Sequence, residues 1–156
     1  MSKPIVTPLQ ARAKLEHFCA YQDRCHSEVL EKLKSLGMDN DASDEIMVYL
    51  IAHDFLNEER FAKSFARGKH RIKFWGKVRI VNELKMRGIS TYNINSALSE
   101  IDADQYIQTF EMIADRGWES ISDPQPIRKK KKWFDYLSRK GFEHQLIYDK
   151  LKLLEK

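Results

Sequence analysis

Apolar positions along the chain recur mostly at helical spacing. Thr7 followed by Pro8 and Gln10 predicts a capped start for a helix over about 8–22, with Ala11, Leu15, Phe18 and Gln22 on one stripe. Ser27 and Glu28 predict the start of a second helix, whose face is Val29, Leu30, Leu33 and Leu36 and whose end is Gly37. The polar run Asp39–Ser43 reads as a turn, and Ser43 as the start of a third helix carrying Ile46, Met47, Leu50 and Ile51 inward. Asn57 caps a fourth, Glu58–Arg67, with Phe61, Ala62 and Phe65 facing in. A later helix, roughly Asp104–Trp118, carries Tyr106, Ile107, Phe110, Ile113, Ala114 and Trp118. Prolines stand only at 4, 8, 124 and 126, so the long middle of the chain contains no helix breaker.

One stretch has two periods. Ile72, Phe74, Val78 and Ile80 alternate with Lys73, Trp75, Lys77 and Arg79, as in a half-buried strand, but from Gly76 onward Val78, Ile80, Val81 and Leu84 also form a helical stripe. An internal repeat decides for helix. Gly37, Gly88 and Gly141 are spaced by about fifty residues, and Leu33, Leu84 and Leu137 stand four positions before them. Val29, Ile80 and Trp133 stand eight before, Leu30, Val81 and Phe134 seven before, and Met38, Ile89 and Phe142 one after. Downstream, Ile94 and Leu98 match Ile147 and Leu151, and Ile46 and Leu50 match them if the first turn carries a three-residue insertion. Such offsets before a glycine belong to a helix with a left-handed cap. The fold class expected is therefore all-α, an elongated array of three tandem three-helix repeats within one domain, 1–156. The repeats are drawn at about 9–67, 72–118 and 124–156.

Composition agrees with a folded chain: 156 residues, 42% hydrophobic and 32% charged. Cys19 and Cys25 have no zinc or redox spacing and read as reduced, helix-packing thiols. No apolar run reaches the roughly 18 residues of a membrane span, and the N-terminal MSKPIVTPLQ does not read as a signal peptide, so no membrane partner is expected. The formal charge of +4 is an average over blocks. Residues 1–66 carry a net −3, 67–91 a net +7, 92–127 a net −6 and 128–156 a net +6. Basic blocks of this density attract polyanions or acidic protein faces, or else form solvated faces paired with neighbouring carboxylates. His17, His26, His53, His70 and His144 form no metal-spaced pair, no Gly-rich phosphate loop exists, and neither an enzyme nor a cofactor or metal is expected.

The segment Asp54–Ile89 resembles the most characteristic stretch of the RecX regulatory proteins. In that family a leucine and acidic residues precede an R-F-A helix, followed by a basic segment, a glycine and a helix ending in E-L and a glycine. Here these are Leu56, Glu58, Glu59, Arg60, Phe61 and Ala62, then Arg67–Lys73, Gly76, Glu83, Leu84 and Gly88. Arg24, Ser27, Glu28, Leu33 and Gly37 resemble the family's first unit, and Leu137, Arg139, Gly141, Phe142 and Ile147 its third. The chain departs in carrying glutamate where the position before R-F-A is usually aspartate, and in the first-turn insertion.

The resemblance implies a cytoplasmic bacterial regulator, expected as a monomer. It would bind the RecA recombinase filament, touch single- or double-stranded DNA weakly, and modulate, as a rule inhibit, RecA's ATPase, strand-exchange and coprotease activities. The contact candidates are Arg67, Lys69, Arg71, Lys73, Lys77, Arg79, Lys85 and Arg87, with Arg128, Lys129, Lys130, Lys131 and Lys132 in the second block. Trp75, among cations, is either a stacking platform for a base or an aromatic between repeats. The alternative is a helix-turn-helix transcriptional regulator reading DNA with the helix after Gly88, a helix that carries no basic residue over Tyr92–Leu98.

Overall fold

The computed structural model describes residues 6–155, and among these every regular element is helical. The first three helices are α1 (Pro8–Tyr21), α2 (His26–Ser35) and α3 (Asn40–Ala52). Then come α4 (Glu58–Lys73), α5 (Lys77–Met86) and α6 (Thr91–Leu98), followed by α7 (Ala103–Ser120), α8 (Pro126–Lys140) and α9 (His144–Leu154). Residues 1–5, where the leader question falls, lie outside the described residues.

Side-chain caps set most of the helix starts. In α1 the Gln10 N–H donates to Thr7 Oγ1 at 3.1 Å and the Thr7 N–H to Gln10 Oε1 at 3.0 Å, the reciprocal box expected. Asn57 and Asp102 cap α4 and α7, and Ser90 caps α6. Two expected starts move. α2 begins one residue earlier than Ser27, because Glu28 reaches back to the Cys25 N–H at 3.3 Å. The run Asp39–Ser43 is not a turn: Asp39 accepts from the Ala42 N–H at 2.8 Å and starts α3, so the insertion lengthens that helix and buries Ser43. α4 continues six residues past Arg67, and Gln22 lies just beyond the end of α1.

The repeat register holds in three dimensions. Gly37, Gly88 and Gly141 all take positive φ, at 81°, 75° and 96°, closing α2, α5 and α8. Val29, Ile80 and Trp133, and likewise Leu33, Leu84 and Leu137, have no exposed surface at all. The positions seven before the glycine are less buried than expected, with Leu30 exposed.

Packing groups the helices as α1–α3, α4–α6 and α7–α9. The partition drawn at 9–67, 72–118 and 124–156 attaches α4 to the first three helices. In the structure α4 packs most extensively on α6 and also on α5, and its Phe61, Ala62 and Ala66 share a core with Ile80, Leu84 and Ile94. The glycine register marks equivalent positions but not where a unit begins, which is why sequence spacing placed the boundary one helix late.

Two cores result. Ala11, Leu15, Cys19, Val29, Leu33, Ile46, Leu50 and Leu56 form one within the first unit. A larger one runs continuously through the second and third units, and the first unit reaches it with Cys25. Burial pushes both thiols, Cys19 and Cys25, above their ordinary range. Arg60 joins the first two units: it pairs with Asp23 at 2.7 Å and Asp54 at 3.1 Å, and its guanidinium also donates to the Asp54 and Phe55 carbonyls.

The joint between the second and third units is a helix-to-helix cap. α5 has no capping side chain and no acid in its first turn. Its free N–H groups are satisfied from the third unit instead: Gly76 donates to Lys140 O at 2.7 Å, Val78 to Gly141 O at 2.9 Å and Lys77 to Tyr106 Oη at 3.0 Å. The Tyr106 hydroxyl in turn donates to the Glu143 carboxylate at the start of α9. Burial and that carboxylate hold the phenol well above its ordinary range. Tyr106→Phe is expected to cost about 1–2 kcal/mol, since it leaves the Lys77 N–H and Glu143 short of partners. Urea unfolding checks this, with the midpoint lowered and the slope unchanged.

Candidate partner-binding face

The first basic block occupies two helices of the second unit. Arg67, Lys69, Arg71 and Lys73 lie on the C-terminal half of α4, Lys77, Arg79 and Lys85 lie on α5, and Arg87 closes α5. These cations fall into three environments. Arg67 is paired with Glu100 at 3.5 Å and Arg87 with Glu83 at 2.9 Å. Several cover aromatic rings: Arg87 sits over Phe65 at 4.7 Å, Lys69 near both Phe65 and Trp75, Arg79 over Trp75 at 4.1 Å, and Lys77 over Tyr106 at 4.7 Å. Arg71, Lys73 and Lys85 are exposed side chains. Among the described residues, none of Lys69, Arg71, Lys73, Lys77, Arg79 or Lys85 pairs with a carboxylate.

Trp75 is half-buried against the larger core, edge-on to Phe65 at 6.1 Å, with Arg79 on its ring. Of its two expected roles, the geometry matches the aromatic between packed elements.

The second basic block is of a different kind. Arg128 and Lys132 both hold Asp123, at 3.3 and 2.9 Å, and Lys130 holds Glu155 at 2.7 Å. Lys131 holds Asp135 at 3.1 Å, and Lys129 lies over Trp118 at 4.3 Å. The two salts on Asp123, with the Gln125 N–H, keep its carboxyl below the usual carboxylate range, the Lys132 bond contributing most. Four of these five cations therefore have carboxylates of their own. The block sits on the first turns of α8, roughly 15 Å along the axis from Lys140 at the other end.

Two cations outside the expected set belong beside the first block. Arg139 and Lys140, at the end of α8, meet the α4–α5 turn: Arg79 donates to the Arg139 carbonyl at 3.2 Å and Lys140 to the Lys73 carbonyl at 3.0 Å. Only the fold brings them there, though each glycine-capped helix end is a place where cations are favoured.

The helix after Gly88 packs one face on α4 and leaves Thr91, Tyr92 and Asn95 exposed on the other. Ile94 and Ala97 of α6 are buried, Glu58 of α4 accepts from Asn93 and from the Ser90 N–H, and Ser96 donates to Glu59 at 3.1 Å. A cleft of about 480 Å3 lies between α4 and the α6–α7 connection, lined in part by Arg67, His70, Arg71 and Glu100. His70 donates through Nδ1 to the Trp75 carbonyl at 2.9 Å. Among the described residues no group of three His, Cys, Asp or Glu side chains could hold a metal ion, and no helix is long and apolar enough to cross a membrane.

The second unit carries the family signal. The family model for the second three-helix domain of RecX matches residues 57–98, which are α4–α6 with the cap of α4. Over most of its length the chain is similar to regulatory protein RecX of Clostridioides difficile strain 630, 25% identical over 93% of this chain and 69% of the relative. It is also similar to regulatory protein RecX of Mycobacteroides abscessus, 26% identical over 83% of this chain and 64% of the relative. Residues 57–98 thus carry a RecX domain, and most of the chain is similar to RecX regulatory proteins. Solved RecX structures share its fold. A crystal structure of regulatory protein RecX superposes with a TM-score of 0.82 at 21% identity, covering 93% of this chain and 72% of that one. RecX from Lactobacillus salivarius gives 0.79 at 24% identity, covering 95% and 96%. The all-α, three-repeat array is thus the RecX architecture, and the RecX domain match starts at Asn57, the same point at which packing divides the first unit from the second.

Proposed function

We propose that this chain is a non-catalytic, cytoplasmic regulator that binds the RecA recombinase filament on DNA and modulates, as a rule inhibits, its ATPase, strand-exchange and coprotease activities. The observation that carries the reading is the set of carboxylate-free cations on α4 and α5, within the unit that matches the RecX domain. Paired cations contribute little long-range field, whereas unpaired ones project a potential that steers and holds a charged partner. The face on α4 and α5 is therefore assigned the partner contact, and Arg128–Lys132, largely occupied by Asp123, Glu155 and Asp135, a secondary place in it. A promoter-reading role is less well supported, because α6 carries no basic residue and gives Asn93 and Ser96 to α4.

The test is ATP hydrolysis by RecA on single-stranded DNA, with and without the purified chain. The wild-type chain is expected to lower the rate, and the double reversal Arg71→Glu with Lys73→Glu to weaken that effect about tenfold or more while leaving the helical circular dichroism intact. A wild-type chain that neither binds the filament nor changes hydrolysis removes the reading. Unchanged inhibition by the double variant removes the assignment of the face.

A further inference from the structure

We propose that the seam between the second and third units is a binding site for a phosphate-type anion, built by Lys73, Arg79 and Lys140, and that its occupancy stiffens the joint. The site is independent of the RecA reading, since it needs only the geometry of the seam. Two long cationic side chains cross the seam in opposite directions: Lys140 reaches the Lys73 carbonyl and Arg79 reaches the Arg139 carbonyl. The backbones beneath them are in direct contact, fastened by Gly76 to Lys140 and Val78 to Gly141. The side chains of Arg79 and Lys140 thus cross at one joint, the charge of Lys73 acts there on Lys140, and Arg139 is the residue just before Lys140.

Carboxylates are missing from that gathering. Among the described residues none pairs with any of the four, whereas the other cations of α8, Arg128 and Lys130–Lys132 apart from Lys129 on its ring, each have one. Lys140 is held below the ordinary lysine range, first by its partial burial and then by Arg79 and Lys73. Such crowding costs free energy in the empty protein and is relieved by a counter-charge. The donors for that charge are at hand. A lysine ammonium has three N–H donors and a guanidinium five, and one of each is used on the seam carbonyls. The guanidinium of Arg79 lies over Trp75, which fixes its plane and leaves its edge to face an oxyanion. A phosphate suits three convergent cations better than a carboxylate does, because it offers more acceptor oxygens disposed in a tetrahedron.

The test is thermal unfolding of the full chain with millimolar inorganic pyrophosphate against sodium chloride of the same ionic strength. Pyrophosphate is expected to raise the melting temperature beyond chloride by binding the native state. Lys140→Gln is expected to weaken that binding roughly tenfold, the loss of one charge-assisted hydrogen bond. In chloride alone the same variant melts at or above the wild-type temperature, because a repulsive charge has gone. Lys34→Gln, on α2 of the first unit, keeps the full pyrophosphate increment. Replacing pyrophosphate by a short single-stranded oligonucleotide tests a nucleic-acid source, and stabilisation that Lys140→Gln removes identifies one. Stabilisation by pyrophosphate alone assigns the site to free phosphates. Equal melting in pyrophosphate and chloride, an increment that survives Lys140→Gln, or a Lys140→Gln chain that melts lower in chloride would each overturn the proposal. Filament inhibition is measured separately, so failure here leaves the regulatory reading standing.

Discussion

Gly76→Ala is expected to destabilise the protein by about 3 kcal/mol and lower its melting temperature by roughly 10 °C, as a methyl is forced into a joint that cannot open. A Cβ at this position would overlap the carbonyl carbon and oxygen of Gly141 and the amide nitrogen of Phe142, all of them backbone atoms. Neither side can yield by turning a rotamer. The chains must part, and parting breaks the Gly76–Lys140 and Val78–Gly141 bonds that cap α5. Gly141→Ala meets the same joint from the other side, where its Cβ would overlap Arg79 and its positive φ adds strain. Because both substitutions open one contact, the double variant should lose less than the two losses added together. Gly68→Ala is the contrasting case. It lies inside α4 with nothing near the added methyl, and is expected to be neutral or stabilising by up to about 1 kcal/mol. Urea titration of the three single variants separates the outcomes. A Gly76→Ala chain as stable as wild type would show that the two units are not fastened through their backbones.

Trp133→Ala is expected to cost about 4 kcal/mol, the upper part of the range for emptying a core of a large side chain. Trp133 has no exposed surface, its Nε1–H donates to the Ala114 carbonyl at 2.8 Å, and its ring meets Trp118 edge-on at 5.6 Å. It therefore fixes α8 to α7 by packing and by one buried hydrogen bond. Trp133→Phe retains much of the volume and loses the donor, and should cost about 1–2 kcal/mol. The unfolding midpoint gives both values, and near-ultraviolet circular dichroism reports the loss of the ordered Trp118–Trp133 pair. A Trp133→Phe chain as unstable as Trp133→Ala would assign the whole effect to the hydrogen bond and its geometry, not to volume.

The same register position illustrates how far local pattern reaches. Trp133, Ile80 and Val29 look unlike as side chains, yet each stands eight residues before a glycine and each is completely buried. Helical periodicity and the glycine cap operate within a few residues of each other, so the sequence carries them directly. Capping at Thr7 and Asn57 is legible for the same reason, and the cap expected at Ser27 falls two residues earlier, at Cys25, because Glu28 serves the Cys25 N–H. Phase was not legible. Nothing within α4 says whether its apolar face will meet α3 or α6, and the fold gives it to α6.

Charge shows the division most plainly. The sequence alone located two basic blocks of similar density, and on formal charge they differ by a single unit. The structure makes them different. Asp123 and Asp135 serve the second block from close in sequence and Glu155 from α9's end, while the first block's cations other than Arg67 and Arg87 are left against aromatic rings or solvent, with Arg139 and Lys140 brought beside them. By itself, then, the sequence determined the helices, their caps, the three-fold register and the residues at the centre of each unit. Which helices form a unit, what caps α5, and the approach of Arg139 and Lys140 to the α4–α5 turn were decided only when distant segments met. Helix formation is settled by neighbours one turn away, whereas backbone donors and ion pairs across a seam find partners that only the packed chain can bring within reach.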